Sequence, residues 1–226
     1  MRDFNIDHGQ GAGGAGVGGA GKAIDLTSRI AAPGFVMGFG RNEEIYGEEE
    51  SADFVYRVVS GVVRTIQVLS DGRRQVAGFH YAGDVFGLEA GGTHRLCAEA
   101  VTDCRIALVR RAALERAADS DVGAARELWA LTARDLQRLQ DHMLLLARKG
   151  AVERLAGFLI EMTERASGAG VLDLPMSRSD IADYLGLTIE TVSRSFTQLE
   201  RDGVISLSGA RHVELRDRAA LADCAG

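Results

Sequence analysis

The sequence predicts an α+β chain: an N-terminal antiparallel β domain of jelly-roll type, one long helix, and a C-terminal winged helix-turn-helix. Three observations carry this. Between Pro33 and Arg111, β-rich runs (FVYRVVS, GVVRTIQVL, RQVAGFHY) alternate with turn signals at roughly ten-residue spacing. The stretch 119–149 then has no proline, one early glycine and a broad apolar side. Beyond Ser177, two short capped helices and a hairpin pattern follow in close succession. The segments read as 1–32 for a glycine-rich tail, 33–118 for the β domain, 119–149 for the long helix and 150–226 for the C-terminal domain.

The tail contains GQGAGGAGVGGAGK, in which Gly11, Gly13 and Gly16 fit G-x-G-x-x-G. A dinucleotide site needs a strand before that motif and a helix after it. Neither pattern is present, so the stretch reads as a flexible tail. In the β domain, Ser60-Gly61, Ser70-Asp71-Gly72 and Ala82-Gly83-Asp84 mark turns, VFGLEAGG follows the last of them, and CRIALVRR closes the series. Such short, evenly spaced strands suit a sandwich or jelly roll.

On the long helix, Leu128, Leu131, Leu136, Leu139, Met143 and Leu146 form the apolar side. A helix so long and so apolar calls for a partner, here its own symmetry mate, with packing on the β domain as the alternative. Leu128, Leu139, Met143 and Leu146 are the expected interface. Asp135 and His142 interrupt a strict heptad, so the expectation is a dimer helix without a regular zipper.

AVERLAGFLIEMTERA is a second amphipathic helix. Ser177-Arg178-Ser179-Asp180 is a capping box that starts a helix with Ile181, Ala182 and Leu185 inward. Gly186 ends it, and Thr188 is a natural N-cap for the next. In TIETVSRSFTQLERDG, Val192, Phe196 and Leu199 make one apolar stripe, while Glu190, Ser193, Arg194 and Thr197 make a polar one opposite. VISL and RHVEL around Ser208-Gly209-Ala210 read as the wing. In this setting the polar stripe points to a DNA major groove rather than to a merely solvated face. Arginine can donate to guanine O6 and N7, glutamate can accept from cytosine N4, and serine serves either edge. Glu190, Ser193 and Arg194 are the candidate base readers. Ser177, Arg178, Thr188 and Thr191 lie at helix starts, where hydroxyls, guanidinium and free N–H groups hold phosphates.

SRSDIADYLGLTIETVSRSFTQLERDGVISL resembles the DNA-binding region of the CRP/FNR superfamily of bacterial transcription regulators. QDHMLLLARKGAVERLAGFLIEM and GFHYAGDVFGLEAGGTHRLCAEAV are similar to the FNR branch, and most to its FixK subgroup. The resemblance spans residues 33–216, with ETVSR its most specific part. It implies a cyclic-nucleotide-binding-like jelly roll, a homodimer, and an activator that contacts RNA polymerase. It also implies that E-x-x-S-R at Glu190, Ser193 and Arg194 reads TTGA half-sites of an inverted repeat, with Arg178, Thr188 and Thr191 on phosphates.

The same resemblance raises ligands to be tested. A cyclic-nucleotide pocket of this family has Gly-Glu and then Arg followed by Ser or Thr; here Gly83-Asp84 and His94-Arg95 stand in those places. A shifted arginine would point to the other face of a strand. An iron–sulfur cluster needs four thiolates, three of them near the N-terminus, and no cysteine precedes Pro33. The expectation is a regulator with no cofactor. The alternative is ligand or thiol-redox gating, with Cys97, Cys104 and Cys224 as candidates and Cys224, in a frayed tail, the most accessible.

Composition narrows the classes further. Hydrophobic residues make up 46% and charged ones 26%, as in ordinary globular chains. No apolar run approaches the roughly 18–20 residues of a membrane span, and no signal-peptide pattern opens the chain, so the cytoplasm is the expected compartment. Three cysteines and five scattered histidines show no metal-ligand spacing, and no nucleophile–base pair suggests an enzyme. A formal net charge of −6 argues against nonspecific coating of nucleic acid, but a local groove reader needs only one favourable face.

Overall fold

The computed structural model describes residues 35–147, 150–166 and 170–226. The glycine-rich stretch 9–22 and Lys149 lie outside the described residues. Eight strands form two four-stranded antiparallel sheets: β1 (Phe35–Phe39), β2 (Glu44–Tyr46), β3 (Phe54–Ser60), β4 (Val63–Val68), β5 (Arg74–His80), β6 (Val85–Phe86), β7 (Cys97–Ala100) and β8 (Cys104–Arg110). One sheet has the order β1-β8-β3-β6 and the other β2-β7-β4-β5. The chain thus passes from sheet to sheet in the manner of a jelly roll. Val58, Val63, Phe86, Ala98 and Ile106 meet between the sheets, with Tyr46 and Tyr56 beside them. β8 is covered on both faces, Ile106 packing in the core between the sheets and Val109 with Leu114 on the other side, while Arg105 and Arg110 are exposed. β1, β2 and β7 carry weaker patterns; they pair at the sheet edges or across short registers.

The helical stretch that follows is divided. α1 (Arg111–Ser120) seats Leu114 against Val55, Val85 and Val109. Asp121 then adopts extended backbone and caps α2 (Val122–Leu146) by accepting from the Gly123 N–H at 2.7 Å. The single helix read over 119–149 is therefore broken near its start. On α2, Val122, Trp129, Leu136 and Met143 recur every seven residues, and all are strongly exposed. Ala125, Thr132, Leu139 and Leu146 recur with the same period between them. The heptad is unbroken on this side, because Asp135 and His142 lie off it and turn toward the body of the protein. Leu139 and Met143 belong to the exposed seam, whereas Leu128 is half-buried and off the period, and Trp129 was missed by the sequence reading.

α3 (Ala151–Ala166) carries the C-terminal core, with Leu155, Phe158 and Leu159 fully enclosed. β9 (Val171–Asp173), β10 (Ile205–Leu207) and β11 (His212–Leu215) form a three-stranded sheet of order β10-β11-β9. Between β9 and β10 lie α4 (Arg178–Leu185) and α5 (Ile189–Arg201), and α6 (Arg218–Ala225) packs back on α3. Cys224, expected in a frayed tail, sits in α6 half-buried against the C-terminal core, because Ala220, Leu221 and Ala225 give that helix an apolar side. Cys104 is buried, its thiol donating to the Val62 carbonyl at 3.1 Å. Among the described residues no helix is long and apolar enough to cross a membrane.

The two halves share one core. Val62, Ile66, Val76 and Phe79 of the β domain belong to the same apolar cluster as Leu155, Phe158, Ile181 and Leu185. Through it runs a charged clamp. Arg64 on β4, 6% exposed, donates to Asp180 at 2.8 Å and to Glu99 at 2.5 and 2.9 Å, and reaches Asn42 at 3.3 Å. Gln75 donates to the Tyr184 carbonyl at 3.4 Å, and the His142 ring lies 3.9 Å from that of Tyr184, nearly parallel. Removing one member of a buried ion pair strands the other. Arg64→Met is therefore expected to cost about 3–5 kcal/mol in urea unfolding followed by circular dichroism. Arg64→Met combined with Asp180→Leu should recover part of that loss; equal stability of Arg64→Met and the parent would remove the clamp from the energetics.

Candidate DNA-binding interface

The C-terminal helices build the candidate site from their caps. Ser177 accepts from the Asp180 N–H at 3.1 Å, and Asp180 accepts from the Ser177 N–H at 2.9 Å, which completes the capping box. The Ser177 hydroxyl also donates to Asp180 at 2.7 Å. α4 ends where Gly186 takes a left-handed backbone at φ 62°, a conformation that glycine adopts without strain. Leu187 and Thr188 complete a three-residue turn, and Thr188 caps α5 by accepting from the Thr191 N–H at 3.2 Å.

α5 is fixed from below and open above. Val192, Ser195, Phe196 and Leu199 are buried in the C-terminal core. Glu190, Ser193, Arg194 and Thr197 are all exposed on the opposite side. Hydrogen bonding to its own backbone N–H at the helix start, and then to Thr188, holds the Glu190 carboxyl below the usual range, so it is ionised and an acceptor at neutral pH. Arg194 donates to the Thr191 hydroxyl at 3.5 Å, which steers its guanidinium toward the start of the helix. The wing hairpin β10–β11 flanks α5, and Glu200 accepts from the Leu207 N–H at 3.1 Å to tie the two together.

The residues read as phosphate contacts fall into two groups. Thr188 is exposed and Thr191 half-buried at the first turn of α5. Ser177 and Arg178 are half-buried at the start of α4. The Arg178 guanidinium lies 3.2 Å from the centre of the Phe196 ring, and its Nη1 is buried with no partner among the described residues. Desolvation lowers its pKa to about 10, which still leaves it charged. Arg178 therefore braces α4 against α5 as a cation over an aromatic face. Sequence spacing could not show this, because the two residues are far apart in the chain.

A cavity of about 320 Å³ lies between the β domain, α2, α3 and α4, lined by His80, Phe86, Asp135, Arg138, His142 and Tyr184 among others. His94 is buried and stacked on Tyr46 with ring centres 3.7 Å apart, while Arg95, exposed in the bend before β7, reaches the rim of this cavity. The Asp84 carboxylate is already bound to Arg138 at 2.6 Å and Arg165 at 3.1 Å, joining the β domain to α2 and α3. Among the described residues no group of histidine, cysteine and carboxylate side chains could hold a metal ion.

Comparison with known proteins places these elements. Residues 37–121 match the cyclic nucleotide-binding domain and residues 153–224 the Crp-like helix-turn-helix domain. The chain is 50% identical over 210 residues to the nitrogen fixation regulation protein FixK of Azorhizobium caulinodans, covering 89% of this chain and 85% of that one. It is 43% identical to the FixK of Rhizobium meliloti, covering 85% of this chain and 88% of that one. The solved structure of FixK2 from Bradyrhizobium japonicum superposes with a TM-score of 0.82 at 54% identity, over 85% of this chain and 98% of that one. A jelly roll joined to a winged helix-turn-helix, with the polar stripe of α5 facing out, is thus the build of a known class: this chain belongs to the CRP/FNR family of DNA-binding transcription regulators and is similar to the FixK proteins.

Proposed function

We propose that this chain acts as a homodimer that binds a TTGA-type inverted repeat and activates transcription without a cyclic nucleotide or an iron–sulfur cluster. The observation that carries the reading is the polar stripe of α5, held rigid from beneath and open to a groove. Arg194 is assigned to a guanine edge, Glu190 to a cytosine amino group and Ser193 to a neighbouring edge. Thr188 and Thr191 hold phosphate at the helix start, where N–H groups point outward and the helix dipole favours an anion. Arg178, flat on Phe196, contributes charge beside them, and Ser177 contributes mainly through its cap.

An inverted repeat needs two copies of α5 about 34 Å apart, one duplex turn, related by a two-fold axis. The exposed heptad of α2 supports that arrangement, since Trp129, Leu136 and Met143 present an apolar seam to water in the single chain. DNA places the protein in the cytoplasm of its bacterium, and activation requires contact with RNA polymerase. Transcription regulation, not catalysis, is the activity the family supports. The Asp84 bridges favour a ligand-free regulator over one gated by a nucleotide. Thiol-redox gating is the weaker alternative, because Cys104 is buried and Cys97 and Cys224 are half-buried.

Arg194→Ala should weaken cognate binding by about 1–3 kcal/mol and flatten discrimination at a single base pair, measured by titrating a panel of single-substitution duplexes. Uniform weakening on every duplex would instead make Arg194 a phosphate contact. Leu136→Glu with Leu139→Glu should give monomers in analytical ultracentrifugation, together with a large loss of operator affinity. A variant that stayed dimeric would move the interface away from α2.

A further inference from the structure

Two arginines of the β domain stand beside the recognition helix and have no part in the reading above. They belong to the turn that joins β4 to β5, closed by the Gly72 N–H donating to the Leu69 carbonyl at 2.9 Å and the Leu69 N–H donating to the Arg73 carbonyl at 2.8 Å. The tip of this hairpin reaches the helix-turn-helix. An open groove of about 470 Å³ is lined on one side by Arg73 and Arg74 and on the other by Gly186, Thr188 and Thr191. Asp183 is the acidic residue in the groove wall.

The hairpin is not loosely placed. Arg64, on the same strand β4, is held by Asp180 of α4 at 2.8 Å, and Gln75 at the start of β5 donates to the Tyr184 carbonyl of α4 at 3.4 Å. The clamp therefore fixes the distance between the hairpin and the first turn of α5. The Arg73 side chain is 77% exposed, and its pairing with Asp71 at 2.7 Å joins two solvent-facing groups. Water weakens such a pair, so it gives way readily to a stronger acceptor. The Arg74 side chain is 37% exposed, and its approach to Glu99 is a long 3.4 Å. In a chain of net charge −6, these two guanidinium groups, loosely matched by Asp71 and Glu99, lie next to the proposed phosphate-binding start of α5.

We propose that the β4–β5 hairpin is a second DNA-contacting element, in which Arg73, supported by Arg74, binds the phosphates adjoining those held at the start of α5. The inference rests on the DNA-binding reading of α5 and adds to it a contact that reads no sequence. Helix α4, which crosses the backbone in this motif, and the hairpin beside it would then line one continuous phosphate track. Bidentate guanidinium–phosphate geometry suits arginine at this position.

The test uses the full chain and fluorescence anisotropy across a range of salt concentrations. Wild type, Arg73→Gln and Arg73→Lys are titrated with a long-flanked duplex carrying the inverted repeat and with a scrambled duplex of equal length. Arg73→Gln should weaken both by a similar factor and leave their ratio unchanged. Its slope of log affinity against log salt should be shallower by about two, one lost phosphate contact per protomer. Arg73→Lys should restore most of the slope, because a point charge still binds phosphate. Wild-type slope and affinity for Arg73→Gln would overturn the proposal. So would normal DNA binding by that variant with transcription lost when purified polymerase is added, which would give the hairpin a protein partner. If wild type showed no preference for the repeat, the base-reading assignment of α5 would fail, and the Arg73→Gln slope on the scrambled duplex would still decide the hairpin.

Discussion

The ion pair between Arg64 and Asp180 is the constraint on which the arrangement of this protein depends. It joins a strand of the jelly roll to the capping residue of α4, the helix that positions the turn and the recognition helix. Asp180 serves two partners at once: one oxygen accepts from Arg64, the other from Ser177. Glu99 takes the other donors of Arg64 and also faces Arg74 at 3.4 Å, so two carboxylates are set against two guanidinium groups. Burial of this kind is costly unless every member is satisfied, and here each member has a partner. The capping box, a local device in most helices, has become the hinge pin between domains.

That pin explains why the C-terminal domain does not hang from α3 as a separate body. The apolar cluster continues from Val62 and Phe79 through Phe158 to Leu185, and Asp84 adds a second cross-link by binding Arg138 and Arg165. Asp84, beside the cavity, is thereby engaged by protein partners. His94 fills space against Tyr46, and Arg95 lies exposed at the cavity rim. The jelly roll is in this reading a platform that holds α5 in place through bridges between the two halves of the chain.

Much of this was legible in the sequence, because the signals concerned are local. Ser177, Asp180, Gly186 and Thr188 punctuate the helix-turn-helix, and each occupies the structural position its chemistry suggests. Val192, Phe196 and Leu199 turn inward as their spacing requires. The rest depended on distance. Arg64 and Asp180 are 116 residues apart, and Arg178 meets Phe196 only after α4 and α5 cross. The break at Asp121 had a local signal, Ser120-Asp121 ahead of Gly123, but the alanines and leucines on either side carried the helical reading across it. The heptad of α2 was obscured by Asp135 and His142, which proved to lie on the flank that faces the body of the protein. Cys224 was misplaced because a short alanine-rich end gives little hint of packing, yet α6 folds back on α3.

The central claim is that α5 is already held in a form that reads DNA, with no ligand needed to place it. The most direct measurement is binding of aerobically purified full-length protein to a palindrome of TTGA-N-TCAA type, alone, with reductant and with cyclic AMP. Specific binding of equal strength in all three conditions is expected. Binding that appears only with cyclic AMP would contradict the claim and restore a ligand site to the jelly roll; binding only with reductant would put control in the cysteines.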